Sequence, residues 1–300
     1  KKEDLTGRGE RTLCTVSGEK RKANFAQDSD LRRDHSHSQG RLYIVGIGPG
    51  ELGYLSQKAF GVLRSCEVII GYRAYVKLLG DLVQGKEVIA SSMGKELVRA
   101  ETAIEQALSG RKVALISSGD SGIYGMAGVV LEIVEKRSIN LDLEIIPGIP
   151  AFCAAASSLG APIMNDFALI SLSDILTPWE IIERRLTYAC QGDFVIVLYN
   201  PKSKKRTWQI SKTQALLLKY RSGQTPVGIV RNAKRGKEKV ILTTLDRMLD
   251  YSIDMLTTII VGNSSTSLSD RYMVTPRGYK IRVDAKDRLP EEFAYSLKKC

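Results

Sequence analysis

Histidine is nearly absent from this 300-residue chain: the two imidazoles, His35 and His37, stand within the first forty residues, and everything from Arg41 onward has none. That argues against a Ser-His triad, a His-ligated zinc or a histidine general base in the body of the chain. Cysteine is also sparse. Cys14, Cys66, Cys153, Cys190 and Cys300 form no CxxC or other metal-knuckle spacing, and an odd, scattered set reads as reduced cytoplasmic thiols. Long apolar runs are missing too. The longest, such as 112–118 and 256–261, are strand length and far short of the ~20 residues of a membrane helix, so neither a membrane span nor a secretory signal is expected. Aromatic residues make up only 7% and none interleave with Lys or Arg in a run, which disfavours a nucleic-acid-binding sheet face.

What is present is positive charge. Lys and Arg number 44 against 33 Asp and Glu, a balance of +11 that favours acidic ligands. Residues 1–40 hold nine Lys/Arg and seven Asp/Glu with scarcely any apolar periodicity, and are expected to be a polar extension outside the fold.

From Arg41 short β-branched runs alternate with longer amphipathic ones, the signature of parallel βαβ units. Strands are expected near 42–46, 68–71, 87–90, 113–117 and 143–146, with helices near 52–65, 74–83, 95–108, 123–135 and 151–159. The second half repeats the grammar: strands near 167–172, 193–199, 226–230, 239–243 and 256–261, helices near 178–189, 206–220 and 245–251. Thr177-Pro178-Trp179-Glu180 reads as a helix start, with Thr capping, Pro at the first helical position and Glu reaching back. The fold class is α/β, in two domains expected at 41–155 and 156–284, with a polar tail at 285–300.

The loop Gly46-Ile47-Gly48-Pro49-Gly50 follows the first strand but is no dinucleotide fingerprint. Glu51 stands where GxGxxG needs its third glycine, no acid ends the second strand, and Pro49 removes a backbone N–H. After the fourth strand, Ser117–Ala127 offers Gly119, Gly122 and Gly125 with one carboxylate, Asp120, and no lysine beside it. Such a loop suits a neutral or cationic ligand better than a phosphate; alternatively, Asp120 caps the following helix.

These two loops, together with Pro147-Gly148-Ile149-Pro150-Ala151, the segment from Gly160 through Trp179, Leu198–Ser203, Thr225–Arg231, 260–264 and Thr275–Tyr279, closely resemble the precorrin-3B C17-methyltransferases of corrin biosynthesis, within the tetrapyrrole methylase family. The segment Leu172–Trp179 followed by Tyr199-Asn200-Pro201 is the part most specific to that branch. The likeness spans about residues 41–284 in one unbroken order.

The resemblance implies two α/β domains around a cleft, a cytoplasmic homodimer, S-adenosylmethionine as methyl donor, no protein-bound metal, and a tetrapyrrole polyanion as acceptor, contracted at its ring after methylation. Carried over by motif, the donor positions are Pro49, Ser118, Gly119, Asp120, Ile123, Pro150, Ala151, Tyr199, Asn200 and Gly228. Lys202, Arg231, Arg184 and Arg206, with Arg185 and Lys234 nearby, are candidates for the acceptor's carboxylate arms, or else exposed charges. Where relatives commonly have His-Asp, this chain has Asn165-Asp166, so proton movement is left to Asp166, Asp174, Tyr199 or water. Trp179 and Trp208 could cover the macrocycle or simply pack.

Overall fold

A computed structural model describes residues 40–280, so the expected extension at 1–40, apart from Gly40, and the tail at 285–300 lie outside the described residues. Strands β1 (Arg41–Gly46), β2 (Val68–Tyr72), β3 (Glu87–Ser91), β4 (Lys112–Ser117) and β5 (Asp142–Ile146) form one sheet in the order β3-β2-β4-β1-β5, every pair parallel. These strands match their expected ranges to within a residue. Leu42, Ile44, Val68, Ile70, Val113 and Leu115 pack beneath α3 (Glu96–Leu108) and α4 (Met126–Lys136); Val45, Ile69, Ala114 and Ile116 face α1 (Gln57–Ser65) on the other side. Burial on both faces is why the inner strands β1, β2 and β4 read as nearly unbroken apolar runs.

The helices between them are shorter than expected. The segment 52–65 breaks into a 3-10 turn at Leu52–Tyr54 and α1, which begins where Ser56 Oγ accepts the Ala59 N–H at 3.1 Å. The segment 74–83 is α2 (Arg73–Val76) running into a 3-10 stretch kinked at Gly80, whose φ is 52°. Helix α4 starts only at Met126, because Tyr124 is left-handed at φ 51°.

Beyond α5 (Ala151–Leu159) come β6 (Gly160–Ala161), β7 (Phe167–Ser171), α6 (Trp179–Gln191), β8 (Val195–Tyr199), α7 (Gln209–Leu217), β9 (Pro226–Arg231), β10 (Lys239–Thr244), β11 (Thr257–Val261), β12 (Ser267–Leu268) and β13 (Met273–Val274). The second large sheet has the order β10-β9-β11-β8-β7, and only β7 and β8 are parallel; the pairs β8–β11, β11–β9 and β9–β10 are antiparallel. This corrects the expectation that the second half repeats the parallel grammar. Parallel neighbours need a crossover of a dozen or more residues, and residues 232–238 between β9 and β10 are too few. A small third sheet, β12-β13-β6, was not expected.

Two helix expectations fail for local reasons. The segment 245–251 contains only a 3-10 turn at Met248–Asp250, because Gln214 Nε2 from α7 donates to the Leu245 and Asp246 carbonyls that an α-helix would need. Helix α6 begins one residue later than expected, with Pro178 as its cap and no side-chain cap bond, so Thr177 is too early to serve and Glu180 makes no return contact.

Helix α5 lies on one face of the second sheet, over Val195, Val197, Val230 and Ile260, while α6 and α7 cover Ile196, Leu198, Ile229 and Ile259 on the other. Gly228 on β9 makes room for α5: a Cβ there would collide with the Leu159 side chain. By strand direction, the carboxyl ends of β7, β8 and β9 share one edge of this sheet. That edge and the carboxyl ends of the first sheet carry the groups described next.

Candidate active site

Three loops leave the carboxyl ends of β1, β4 and β5 and interlock through their backbones. Gly48 and Gly119 exchange two hydrogen bonds, at 3.1 and 2.7 Å, and a Cβ on Gly46 would lie 2.6 Å from the Gly148 nitrogen. Approach this close is what the glycines supply. Asp120 is the clasp: Oδ1 accepts the Gly122 N–H at 2.8 Å and Oδ2 the Gly148 N–H at 2.9 Å. It therefore does not cap α4. Ser117 takes that part, its Oγ accepting the Met126 N–H at 3.1 Å.

Gly119 sits at φ 69°, a left-handed conformation, and a Cβ on it would stand 3.4 Å from the Ala151 nitrogen. Its bare Cα lets the second loop meet the start of α5 at a close junction. Beside that junction the Tyr199 hydroxyl, at the end of β8, accepts the Phe152 N–H at 2.7 Å. Tyr124 reaches over from the second loop, its ring 6.0 Å from that of Tyr199, donating to Leu169 O at 3.3 Å and accepting from Ser171 N at 3.2 Å. Asn200, left-handed at φ 52°, donates to Ser171 Oγ at 2.9 Å. Ile123 and Tyr199 both pack against the α5 core.

Burial drives the Tyr199 phenol well above its ordinary range, with the Phe152 N–H only partly offsetting that. The ring is thus a neutral hydroxyl at physiological pH. It can hold or donate a proton but is no phenolate base.

Residues 41–249 match the family model of the tetrapyrrole (corrin/porphyrin) methylases. The chain is a tetrapyrrole methylase. It is 49% identical over 246 residues to the cobalt-factor III methyltransferase of Priestia megaterium, a match covering 81% of this chain but 46% of that protein, so the chain spans about half that relative's length. It is 47% identical to the probable cobalt-factor III C(17)-methyltransferase of Salmonella typhimurium, over 80% of this chain and 100% of that one. Among solved structures, the methyltransferase CobJ superposes with a TM-score of 0.74 at 33% identity, covering 79% of this chain and 100% of the other.

In this methylase the geometry gathers most of the expected donor positions: Pro49, Ser118, Gly119, Asp120, Ile123, Pro150, Ala151 and Tyr199 lie in or beside the three loops and the start of α5. Asn200 adjoins through Ser171. Gly228 stands apart from them, buried beneath Leu159.

The expected acceptor cations are dispersed. Arg206 is only 8% exposed and spent on structure: Nη1 donates to Leu172 O at 3.2 Å and Asn200 O at 3.1 Å, and Nη2 to Met255 Sδ. Sequence alone cannot separate such a buried brace from a ligand group. Arg231 pairs with Asp254 at 2.7 Å, and strand alternation puts it with Ile229 on the α6/α7 side, away from Tyr199. Lys202 borders an open cavity of about 440 Å³ with Ser203, Lys204, Ile253, Asp254, Met255 and Leu256. Arg184 and Arg185 are exposed on α6.

Of the acid candidates, Asp166 is exposed at the amino end of β7, and Asp174 Oδ2 accepts from Gln209 Nε2 at 2.9 Å. Trp179 and Trp208 stack edge to face at 4.9 Å, so each covers the other. Among the described residues no cluster of His, Cys, Asp or Glu could hold a metal ion, and no helix is long and apolar enough to cross a membrane.

Arg235 escaped the sequence reading. From the β9–β10 loop its Nε donates to Pro49 O and its Nη2 to Ser118 Oγ, joining the second lobe to two of the three loops. The only hint in sequence was the cation-rich run after β9, which does not tell one cation from the next.

Proposed function

We propose that this methylase transfers the methyl group of S-adenosylmethionine to C17 of a precorrin-3-type tetrapyrrole in cobalamin biosynthesis. The observation that supports the reading is the interlocked cluster of three glycine loops with Asp120 and Tyr199 at the start of α5, in a chain that aligns over 80% of its own length with the whole of a probable C(17)-methyltransferase. The relatives at 47 and 49% identity are named for cobalt-factor III, which favours a cobalt-bearing macrocycle as substrate.

The residues fit the donor. The loops present backbone groups at close quarters, and the single carboxylate among them suits a cation better than a phosphate cradle would. S-adenosylmethionine, when bound, supplies a methyl group on an electrophilic sulfonium. Displacement at that centre needs little acid–base help, so the chain contributes alignment: the interlocked loops fix the donor side, and Tyr199 holds the start of α5 beside them. The macrocycle furnishes the carbon nucleophile. Ring contraction also moves protons; burial makes the Tyr199 phenol a weaker acid, which leaves Asp166 and Asp174 as the carboxylates to test.

The family resemblance further suggests a cytoplasmic homodimer, which sedimentation velocity would test. The deciding experiment is incubation with cobalt-factor III and carbon-13 methyl-labelled donor, followed by mass, absorbance and NMR spectra. One added methyl on C17 is expected; transfer to another ring carbon, or none, overturns the assignment.

A further inference from the structure

We propose that Arg235 is a carboxylate-recognition residue of the active site, pairing with an acidic group of a bound substrate, either the methionyl carboxylate of the donor or a carboxylate arm of the macrocycle. The proposal rests on the methyltransferase reading and adds to it a residue that no motif marks.

The charges around the β9–β10 loop single Arg235 out. Arg231 is neutralised by Asp254, and Lys234 lies 4.0 Å from Glu238, but among the described residues no carboxylate pairs with Arg235. Its guanidinium is half-buried, and burial lowers its pKa, as expected of a charge removed from water without a counterion. Its partners, the Pro49 carbonyl and the Ser118 hydroxyl, are both neutral. A guanidinium has five N–H donors in a planar fork, so these two contacts leave three free. A fork that is desolvated, uncompensated and only partly used is matched by a carboxylate.

The backbone is arranged to put it there. Asn232, Lys234 and Lys237 all adopt left-handed φ values, 56°, 51° and 67°, within one short loop. L-residues disfavour that conformation, and it persists where surrounding contacts enforce it. Here Glu238 Oε1 accepts from Lys234 N at 3.2 Å and Ser158 Oγ at 2.7 Å, while Lys234 O accepts the Glu51 N–H at 3.1 Å. Gly50 completes the seat, since a Cβ on it would collide with Arg235 Cγ. The loop thus delivers a cation onto Pro49 and Ser118, two of the expected donor positions.

The test uses the full chain and two variants, Arg235→Gln and Arg235→Lys, with S-adenosylmethionine and its decarboxylated analogue titrated by calorimetry and cobalt-factor III by absorbance. If the partner is the donor's carboxylate, Arg235→Gln loses tenfold or more in affinity for S-adenosylmethionine yet binds the decarboxylated analogue as the wild type does. If the partner is a macrocycle arm, donor affinity is unchanged and macrocycle affinity falls at least tenfold. Arg235→Lys, which keeps the charge but not the fork, loses less in either case, and if Arg235→Gln does not fold, a selective loss of threefold or more in Arg235→Lys carries the same reading. Affinities within twofold of wild type for both substrates overturn the proposal, as does equal weakening of S-adenosylmethionine and its decarboxylated analogue with macrocycle binding unchanged, which would mark a purely structural brace. A wild-type chain that binds neither substrate overturns the methyltransferase reading, and this proposal falls with it.

Discussion

Asp120 holds Gly148: its Oδ2 accepts the Gly148 N–H at 2.9 Å, bridging the loops after β4 and β5, while Oδ1 holds Gly122. Replacing it by Asn leaves one acceptor oxygen for two backbone donors and turns an NH2 group toward the other. Asp120→Asn is expected to cost about 1–3 kcal/mol of stability and to weaken donor binding. Urea denaturation and calorimetry would read the two effects, and a variant as stable as wild type would show that the clasp is dispensable.

Tyr199→Phe removes the acceptor of the Phe152 N–H. A loss of about 1–3 kcal/mol is expected, since that donor then faces a half-buried position unpaired. Thermal unfolding checks it. Turnover should fall along with donor affinity; a turnover loss with unchanged binding and stability would instead mark the hydroxyl as the proton donor for ring contraction.

Gly119→Val should abolish donor binding, because its methyl groups would push the second loop away from Pro150 and Ala151. Because Gly119 is buried and left-handed, the same change should also destabilise the fold, by at least the ~1–2 kcal/mol of a side chain in that conformation. Donor affinity kept within threefold, measured by calorimetry, would remove Gly119 from the site.

Arg206→Ala and Lys202→Ala should part ways. The first strips two backbone carbonyls of their charged donor and is expected to lose about 1.5–3 kcal/mol of stability. The second, half-buried with no ion pair among the described residues, should keep wild-type stability and show any effect in macrocycle affinity. Denaturation midpoints and absorbance titrations of both variants distinguish brace from ligand.

Cys66 should make the protein sensitive to alkali. Burial pushes its thiol up to about 11, against the opposing pull of Lys86 and Lys112, while the unfolded chain's thiol ionises near 8.5. Between those values the unfolded chain gives up its proton and the folded one keeps it. The stabilising contribution is therefore whole below about pH 8.5 and lost as pH rises toward 11, amounting to roughly 2 kcal/mol at pH 10. Urea midpoints at pH 8 and 10 should fall further apart in the wild type than in Cys66→Ala; equal intervals would count against it.

Sequence by itself determined the elements whose residues carry their own instructions. The inner strands of the first sheet, β1, β2 and β4, are legible because burial on both faces demands continuous apolar runs, and the three loops because their backbones touch where only glycine fits, as at Gly46 and Gly148. Tertiary structure alone decided the rest. Strand direction in the second sheet follows from which edges pair and how short the links are, neither of which is written in a strand's composition. The 245–251 helix lost to a glutamine thirty residues upstream that claimed its carbonyls. Arg206, Arg231 and Arg235 are the same residue type within one stretch of chain, yet one braces carbonyls, one pairs with Asp254 and one reaches the first-lobe loops. What separates the last two is strand alternation and the left-handed turns at Asn232 and Lys234, which set the direction of each side chain only once the sheet has formed.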